Sequence, residues 1–145
     1  VNSADPAATS SASSDASVGR RLPGLPGLLG IEITHLDDTR VEATLTPTKS
    51  HLVPDAGHVH AAAVVALADT ACGYGCRAAL PSDADGFITL ELKTNHLKAA
   101  SPGAQLVCVA QPAHVGRRTQ IWDAIVTVNN DARPIALFRC TQLVL

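Results

Sequence analysis

The sequence lacks most of what would place a protein in a membrane, on a nucleic acid or around a metal. No apolar run approaches the roughly 20 residues that span a bilayer, so no membrane partner is expected. The N-terminal stretch has no apolar core of the signal-peptide kind, and Arg20 and Arg21 lead into a Pro/Gly-rich turn. Basic charge is not in excess: 11 Lys and Arg stand against 13 Asp and Glu, a formal net charge of −2. No nucleic-acid partner is therefore expected, and an anionic ligand has to be met by a local cluster of Arg and Lys. The four cysteines, at 72, 76, 108 and 140, form no CxxC pair. Cys72 and Cys76 are four apart and would suit a metal only if two more ligands faced them. Small apolar thiols in a reducing cytosol are the simpler reading, so no metal, no cofactor and a cytoplasmic location are expected. There is no nucleophile elbow, no phosphate-gripping glycine loop and no His/Cys metal spacing.

What is present is organised around residues 58–80, HVHAAAVVALADTACGYGCRAAL. Ala and Leu dominate and Pro is absent, so the stretch predicts one long helix. Ala62, Val64, Val65, Leu67, Ala68, Ala71 and Cys72 spread over nearly the whole circumference, which predicts burial on all sides. One carboxylate, Asp69, sits in this run, and it is the only acidic residue between Asp55 and Asp83. A buried carboxylate is costly unless partnered, so Asp69 is either neutralised or kept for chemistry.

The length of 145 residues fits one domain. Residues 1–19 are rich in Ser, Ala and Asp and read as a disordered leader, with an entry turn over 20–27. The domain proper is expected over 28–145. Alternation predicts strands at 28–36 and 40–46, with Val41, Ala43 and Leu45 facing one way and Glu42 and Thr44 the other. After a loop over 47–57 and the helix, four more strands are expected at 87–97, 104–113, 118–128 and 134–145. Ile88, Leu90 and Leu92 are expected on one face of the first of these. The strand over 118–128 is apolar on both faces and expected to be central. Strands in an unbroken run predict an antiparallel meander, curled around the single helix. Tyr74 and Trp122 are expected in packing.

In this order the sequence resembles the hotdog-fold acyl-CoA thioesterases related to the phenylacetate-degradation thioesterase. The family's His-Gly-Gly, nine residues ahead of the Asp of a Leu-Ala-Asp tripeptide, is matched in spacing by His60-Ala61-Ala62 and Leu67-Ala68-Asp69. Asn95-His96-Leu97-Lys98-Ala99 is similar to the family's Asn-Phe-Leu-Arg-Pro, and Gly116-Arg117-Arg118-Thr119 to its Gly-Arg-Arg-Thr. Both glycines after the histidine are alanine here, and Pro54 stands where the family often has Asn. Asp55 and His58 are candidates to supply polar groups in its place. The resemblance implies an α+β hotdog fold, a long central helix wrapped by a curved antiparallel sheet. It also implies an acyl-CoA substrate and a homodimer, or a dimer of dimers.

Thioester hydrolysis needs N–H donors on the carbonyl and a carboxylate that attacks it or activates water. Ala61 and Ala62 fall in the first helical turn, whose N–H groups lack intrahelical acceptors. Asp69 lies eight residues on, about 12 Å along the axis, so one carbonyl cannot touch both. Two antiparallel helices across a two-fold axis would join the Ala61 end of one to Asp69 of the other. That spacing predicts a homodimer with shared sites. Asp69 is expected as base or nucleophile, Ala61 as oxyanion donor, and His60 as a pocket residue or the residue that orients the helix start, its other reading being a plain N-terminal cap. The other reading of Asp69 is a structural one, beside a kink made by Gly73 and Gly75. His58, Ala62, Thr70, Gly73 and Asn95 are candidates to border the substrate, and Lys98, Arg117 and Arg118 to meet CoA phosphates. The rival functions are a non-catalytic hotdog that binds acyl-CoA and a hotdog acyl dehydratase.

Overall fold

The computed structural model describes residues 16–129 and 131–145. The chain runs α1 (Gly24–Leu28), β1 (Ile31–Leu36), β2 (Val41–Leu45), a 3-10 turn (Lys49–His51), α2 (Ala61–Ala78), β3 (Phe87–His96), β4 (Leu106–Val115), β5 (Thr119–Val128) and β6 (Ala136–Val144). The long helix and six strands fall where hydrophobic periodicity places them. Residues 1–15 of the expected leader lie outside the described residues. Its last residues are structured: Val18 forms a parallel bridge with Ile33, and the Gly19 N–H donates to the Ile33 carbonyl at 3.0 Å. The entry segment is likewise more than a turn. Leu22 is buried in the core, and Leu28, expected to open the first strand, closes α1 instead.

All six strands form one antiparallel sheet in the order β1-β2-β4-β5-β6-β3. The expected simple meander is therefore corrected. β4, β5 and β6 do follow one another, but β3 leaves the helix, takes the far edge beside β6, and leaves the chain to cross to β4. β5 is interior, as its two apolar faces require, and Trp122, Ala124 and Val126 on its inner face are buried. The register of β3 breaks between Thr89 and Glu91. Opposed residues in an antiparallel pair share a face. Ile88 opposes outward Leu143, whereas Leu92 opposes buried Cys140, so Ile88 and Leu92 do not share the face their spacing suggested. A bulge of this kind inserts one residue and flips the alternation.

α2 lies on the inner face of the sheet, and its burial is one-sided. Ala63, Val64, Leu67, Ala68, Ala71, Cys72, Gly75 and Cys76 are buried. Val65, Ala66, Asp69, Thr70, Gly73 and Tyr74 are only half-buried. The all-round burial expected from composition is not supplied by one chain. The edge strand β3 repeats the pattern: one side is unpaired, and Ile88, Leu90 and Leu92 are exposed.

Candidate active site

The approach to α2 is fixed by a residue the sequence reading passed over. His51 is buried; its Nδ1 accepts the Thr48 backbone N–H at 2.9 Å, which leaves the proton on Nε2 to donate to the Leu29 carbonyl at 3.0 Å. The His51 carbonyl in turn accepts the His60 N–H at 2.7 Å. Leu52 and Val59 bridge across the loop, and the Val59 N–H reaches the Ala100 carbonyl at 2.9 Å. These contacts clamp the start of α2 beside the end of β3.

His60 is the N-cap, with extended backbone, and its ring Nδ1 accepts the Ala62 N–H at 3.0 Å. Its carbonyl takes the Ala63 N–H, also at 3.0 Å. The first-turn donor left over is the Ala61 N–H. This separates two residues that were expected to act alike: Ala61 remains available as a donor, while Ala62 has its N–H occupied by the histidine ring. Both alanines are helical and exposed, so the first turn does not need the conformational freedom of the family's glycines. Ala61, His58, His60 and Lys98 line one cleft of about 390 Å³. His96, which the sequence reading did not single out, joins them there. Its signal was visible only as the residue between Asn95 and Leu97 in the family-like motif. Asp55 is exposed and outside this cleft; the nearest member of its loop is Val53.

Asp69 sits farther along α2 on the half-buried face, with Thr70 and Gly73. Its Oδ1 is shielded from solvent and has no hydrogen-bond partner. Burial alone raises the carboxyl above its usual range. Among the described residues, one other buried side-chain oxygen is equally orphaned, the Thr94 hydroxyl on β3. Thr94 opposes buried Phe138 and so shares the inner face with Leu92. Orphaned buried oxygens are rare in folded proteins.

The remaining candidates lie elsewhere in one chain. Arg117 and Arg118 form the β4–β5 turn, closed by the Gly116 N–H on the Thr119 carbonyl at 2.9 Å. They line a cleft of about 490 Å³ with Pro81 and Asp83, past the C-terminal end of α2 and away from Ala61. Arg117 pairs with Asp83 at 3.6 Å, an exposed contact worth little. Asn95 opposes Leu137 on the outer face of the sheet, in a cleft shared with the Asp123–Arg139 ion pair. The structure does not bring it to Asp69 in the same chain. Among the described residues no helix is long and apolar enough to cross a membrane, and no group of His, Cys, Asp or Glu is placed to hold a metal ion.

This arrangement has relatives. Residues 56–135 match the model of the thioesterase superfamily. The ComA2 protein of Bacillus subtilis (strain 168) is 33% identical over 117 residues, covering 81% of this chain and 90% of that protein. The acyl-coenzyme A thioesterase PaaI of Escherichia coli (strain K12) is 32% identical over 113 residues, covering 77% and 75%. Among solved structures, a thioesterase from Pseudomonas aeruginosa superposes with a TM-score of 0.75 at 27% identity, covering 83% of this chain and 84% of that one. One long helix against a six-stranded antiparallel sheet is the hotdog fold that these relatives share, and the chain is a thioester hydrolase belonging to the thioesterase superfamily.

Proposed function

We propose that the protein hydrolyses acyl-CoA thioesters at sites shared by two copies of the chain, with Asp69 as base or nucleophile and the Ala61 N–H as oxyanion donor. The observation that carries this reading is the pair of unmet groups on one helix, the Ala61 N–H and the Asp69 carboxylate. A donor aimed at a developing oxyanion and a carboxylate beside the carbonyl are what acyl transfer to water requires. The test is release of free CoA from a panel of aliphatic and aromatic acyl-CoAs. Thiol release supports the reading; tight binding with the thioester intact would move the protein to the acyl-CoA binders.

The half-buried face of α2, the unpaired edge of β3 and the exposed Ile88, Leu90 and Leu92 support a homodimer. An unpaired apolar strand edge is a template for a second strand. If Ala61 of one chain meets Asp69 of the other, the two-fold axis crosses α2 midway, at Val65. On β3, His96 shares the Ala61 cleft, while Leu92 opposes Cys140 close to Asp69. The midpoint there is Thr94, which gives its orphaned hydroxyl a symmetry mate. Thr94→Cys is therefore expected to yield a covalent dimer under mild oxidation, seen as a doubled mass without reductant. A variant that stays dimeric by scattering yet never crosslinks would refute this register.

CoA phosphates are assigned to Arg117, Arg118 and Lys98. Antiparallel helices bring the C-terminal end of one α2, with its arginine turn, toward the N-terminal end of the other, where Lys98 lies. Replacing both arginines with Ala is expected to raise KM for CoA thioesters several-fold more than for short pantetheine thioesters, with kcat little changed. Contacts to a remote phosphate add uniform binding. Equal effects on both substrates would put the phosphates elsewhere.

A further inference from the structure

Two hydrogen-bonding groups at the proposed site have no partner within one chain. The first is Asp69 Oδ1, shielded from solvent and unbonded. The second is the imidazole of His96, the last residue of β3. It is exposed in the cleft that holds the Ala61 N–H, and among the described residues its ring meets no hydrogen-bonding or charged partner. The backbone fixes where this ring can go. Pairing with buried Ala136 turns the side chain to the inner face of the sheet, in the row of Leu92 and Thr94. The next two N–H groups, of Leu97 and Lys98, both donate to the Ile135 carbonyl, at 2.8 and 3.3 Å, which pins the strand end.

Within one chain the two groups stay apart. α2 and β3 run in opposite directions, side by side, with two fixed points. At one, Ala61 shares its cleft with His96. At the other, a Cβ on Gly73 would lie 3.7 Å from Cζ of Phe87, which opens β3. Asp69 sits one turn before Gly73 on the same stripe of the helix and about 12 Å along the axis from Ala61. It therefore lies beside the first half of β3, away from His96 of its own chain. Cys140, which pairs with Leu92, feels the Asp69 charge, in keeping with that position.

The unpaired edge of β3 brings them together. In an antiparallel pair of two β3 strands centred on Thr94, residues equally far from the centre are opposed, and opposed side chains share a face about 5 Å apart. His96 of one chain then faces Leu92 of the other, next to that chain's Asp69. We propose that His96 is a positioning residue of the shared site, its imidazole N–H donating to Asp69 Oδ1 of the other chain and leaving Oδ2 to face the thioester carbonyl or the attacking water. The assignment rests on the shared-site reading and extends it: each site takes Ala61 and His96 from one chain and Asp69 from the other. A charge-assisted hydrogen bond of this kind holds the carboxylate in one orientation and favours its ionised form.

The test is complementation between chains. His96→Phe installs the residue that the Asn-Phe-Leu-Arg-Pro motif carries at this position, so melting temperature and dimer mass should hold. Its kcat on acyl-CoA should fall about ten- to a hundred-fold, the loss that goes with one hydrogen bond to a charged group, with KM little changed. Asp69→Asn and His96→Phe chains, co-expressed under two tags and purified as hybrids, have one site with both changes and one with neither. Hybrids should recover about half the parent's turnover, one intact site of two. Hybrids as slow as both variants would overturn the pairing, as would His96→Phe at full turnover. The acidic limb of kcat separates a contact to Asp69 from one to substrate. It should move to higher pH in His96→Phe, while His96→Gln, still a donor, should keep the limb and most of the turnover. Both variants retain the other titratable groups around the pair, Cys72 and Cys140 by Asp69 and His58, His60 and Lys98 by His96. An unmoved limb in His96→Phe would place the ring elsewhere. A last readout needs no turnover. Of the six histidine rings, that of His96 should shift most in the NMR spectrum of Asp69→Asn. A parent that releases no thiol would remove the thioesterase reading alone, whereas an unmoved His96 resonance would remove the contact.

Discussion

Asp69→Asn is expected to keep the fold and lose most of kcat. The amide is nearly isosteric with the carboxylate but can neither attack a carbonyl nor take up a proton. General acid–base help is typically worth 10²–10⁴-fold, about 3–5 kcal/mol, so the loss should be at least of that order. Stability should move the other way. Burial holds the Asp69 carboxyl above its unfolded value, so the folded state binds this proton more tightly than the unfolded chain does. That contribution is complete below the unfolded pKa and is lost as pH rises through the folded one. Ionising this buried group is a cost, and Asn removes it, so the melting temperature should hold or rise. The same shift shapes the parent enzyme's profile. With Asp69 as the proposed base or nucleophile, the carboxylate is the form that works, so turnover should climb with pH on an acidic limb lying above the ordinary carboxylate range. Parallel measurement of thiol release and thermal melting separates the readings of Asp69. A variant that melts earlier while its folded fraction keeps full turnover would make Asp69 a structural hydrogen-bonding residue.

The parts of this site that were legible in the sequence are those encoded locally. Apolar spacing and the absence of proline mark α2, and a lone carboxylate in that run marks Asp69. The His60-Ala61 step marks a helix start because a capping side chain and the first free N–H lie within a few residues of each other. What was not legible depends on pairing between distant segments. The position of β3 on the sheet edge follows from its partnership with β6, some 50 residues on, and its own alternation is broken by the bulge near Leu90. His51 acts through Leu29, 22 residues away, and nothing in its neighbours announces a buried histidine. Composition predicted a helix buried all round, and one chain covers a single face of it. That mismatch is informative, because the uncovered face carries Asp69, Thr70 and Gly73. Local pattern registers that a surface is apolar, but not whether the same chain or another one covers it.

Gly75→Ala is expected to be among the most destabilising single-methyl changes in the molecule, although alanine is the better helix former. In an open helix the exchange would gain up to about 1 kcal/mol. At Gly75 the added Cβ would fall 2.4 Å from Trp122 Cζ3, with Cη2 and Cε3 also inside 3.0 Å. The indole has no room to retreat. It is fully buried on the inner face of β5, and its Nε1 donates to Gln120 Oε1 at 2.9 Å. Gln120 is itself fixed, since its Nε2 donates at 3.0 Å to the Ala79 carbonyl that ends α2. One buried glutamine thus joins the tryptophan under the helix to the helix terminus, and α2 cannot lift from β5 without breaking that link. Overpacking of this kind typically costs about 1–3 kcal/mol, and here the propensity gain must be overcome as well, so a fall of several degrees in melting temperature is expected. Gly73 provides the control two residues earlier. Its added Cβ would meet Phe87 at 3.7 Å, an ordinary contact, so Gly73→Ala should melt at or above the parent. A double-mutant cycle isolates the cause. Trp122→Phe removes the crowding ring atoms at the expense of the Gln120 hydrogen bond, so pairing it with Gly75→Ala should cost clearly less than the sum of the two. Strictly additive losses would mean that Gly75 is required for some reason other than the close approach of α2 to Trp122.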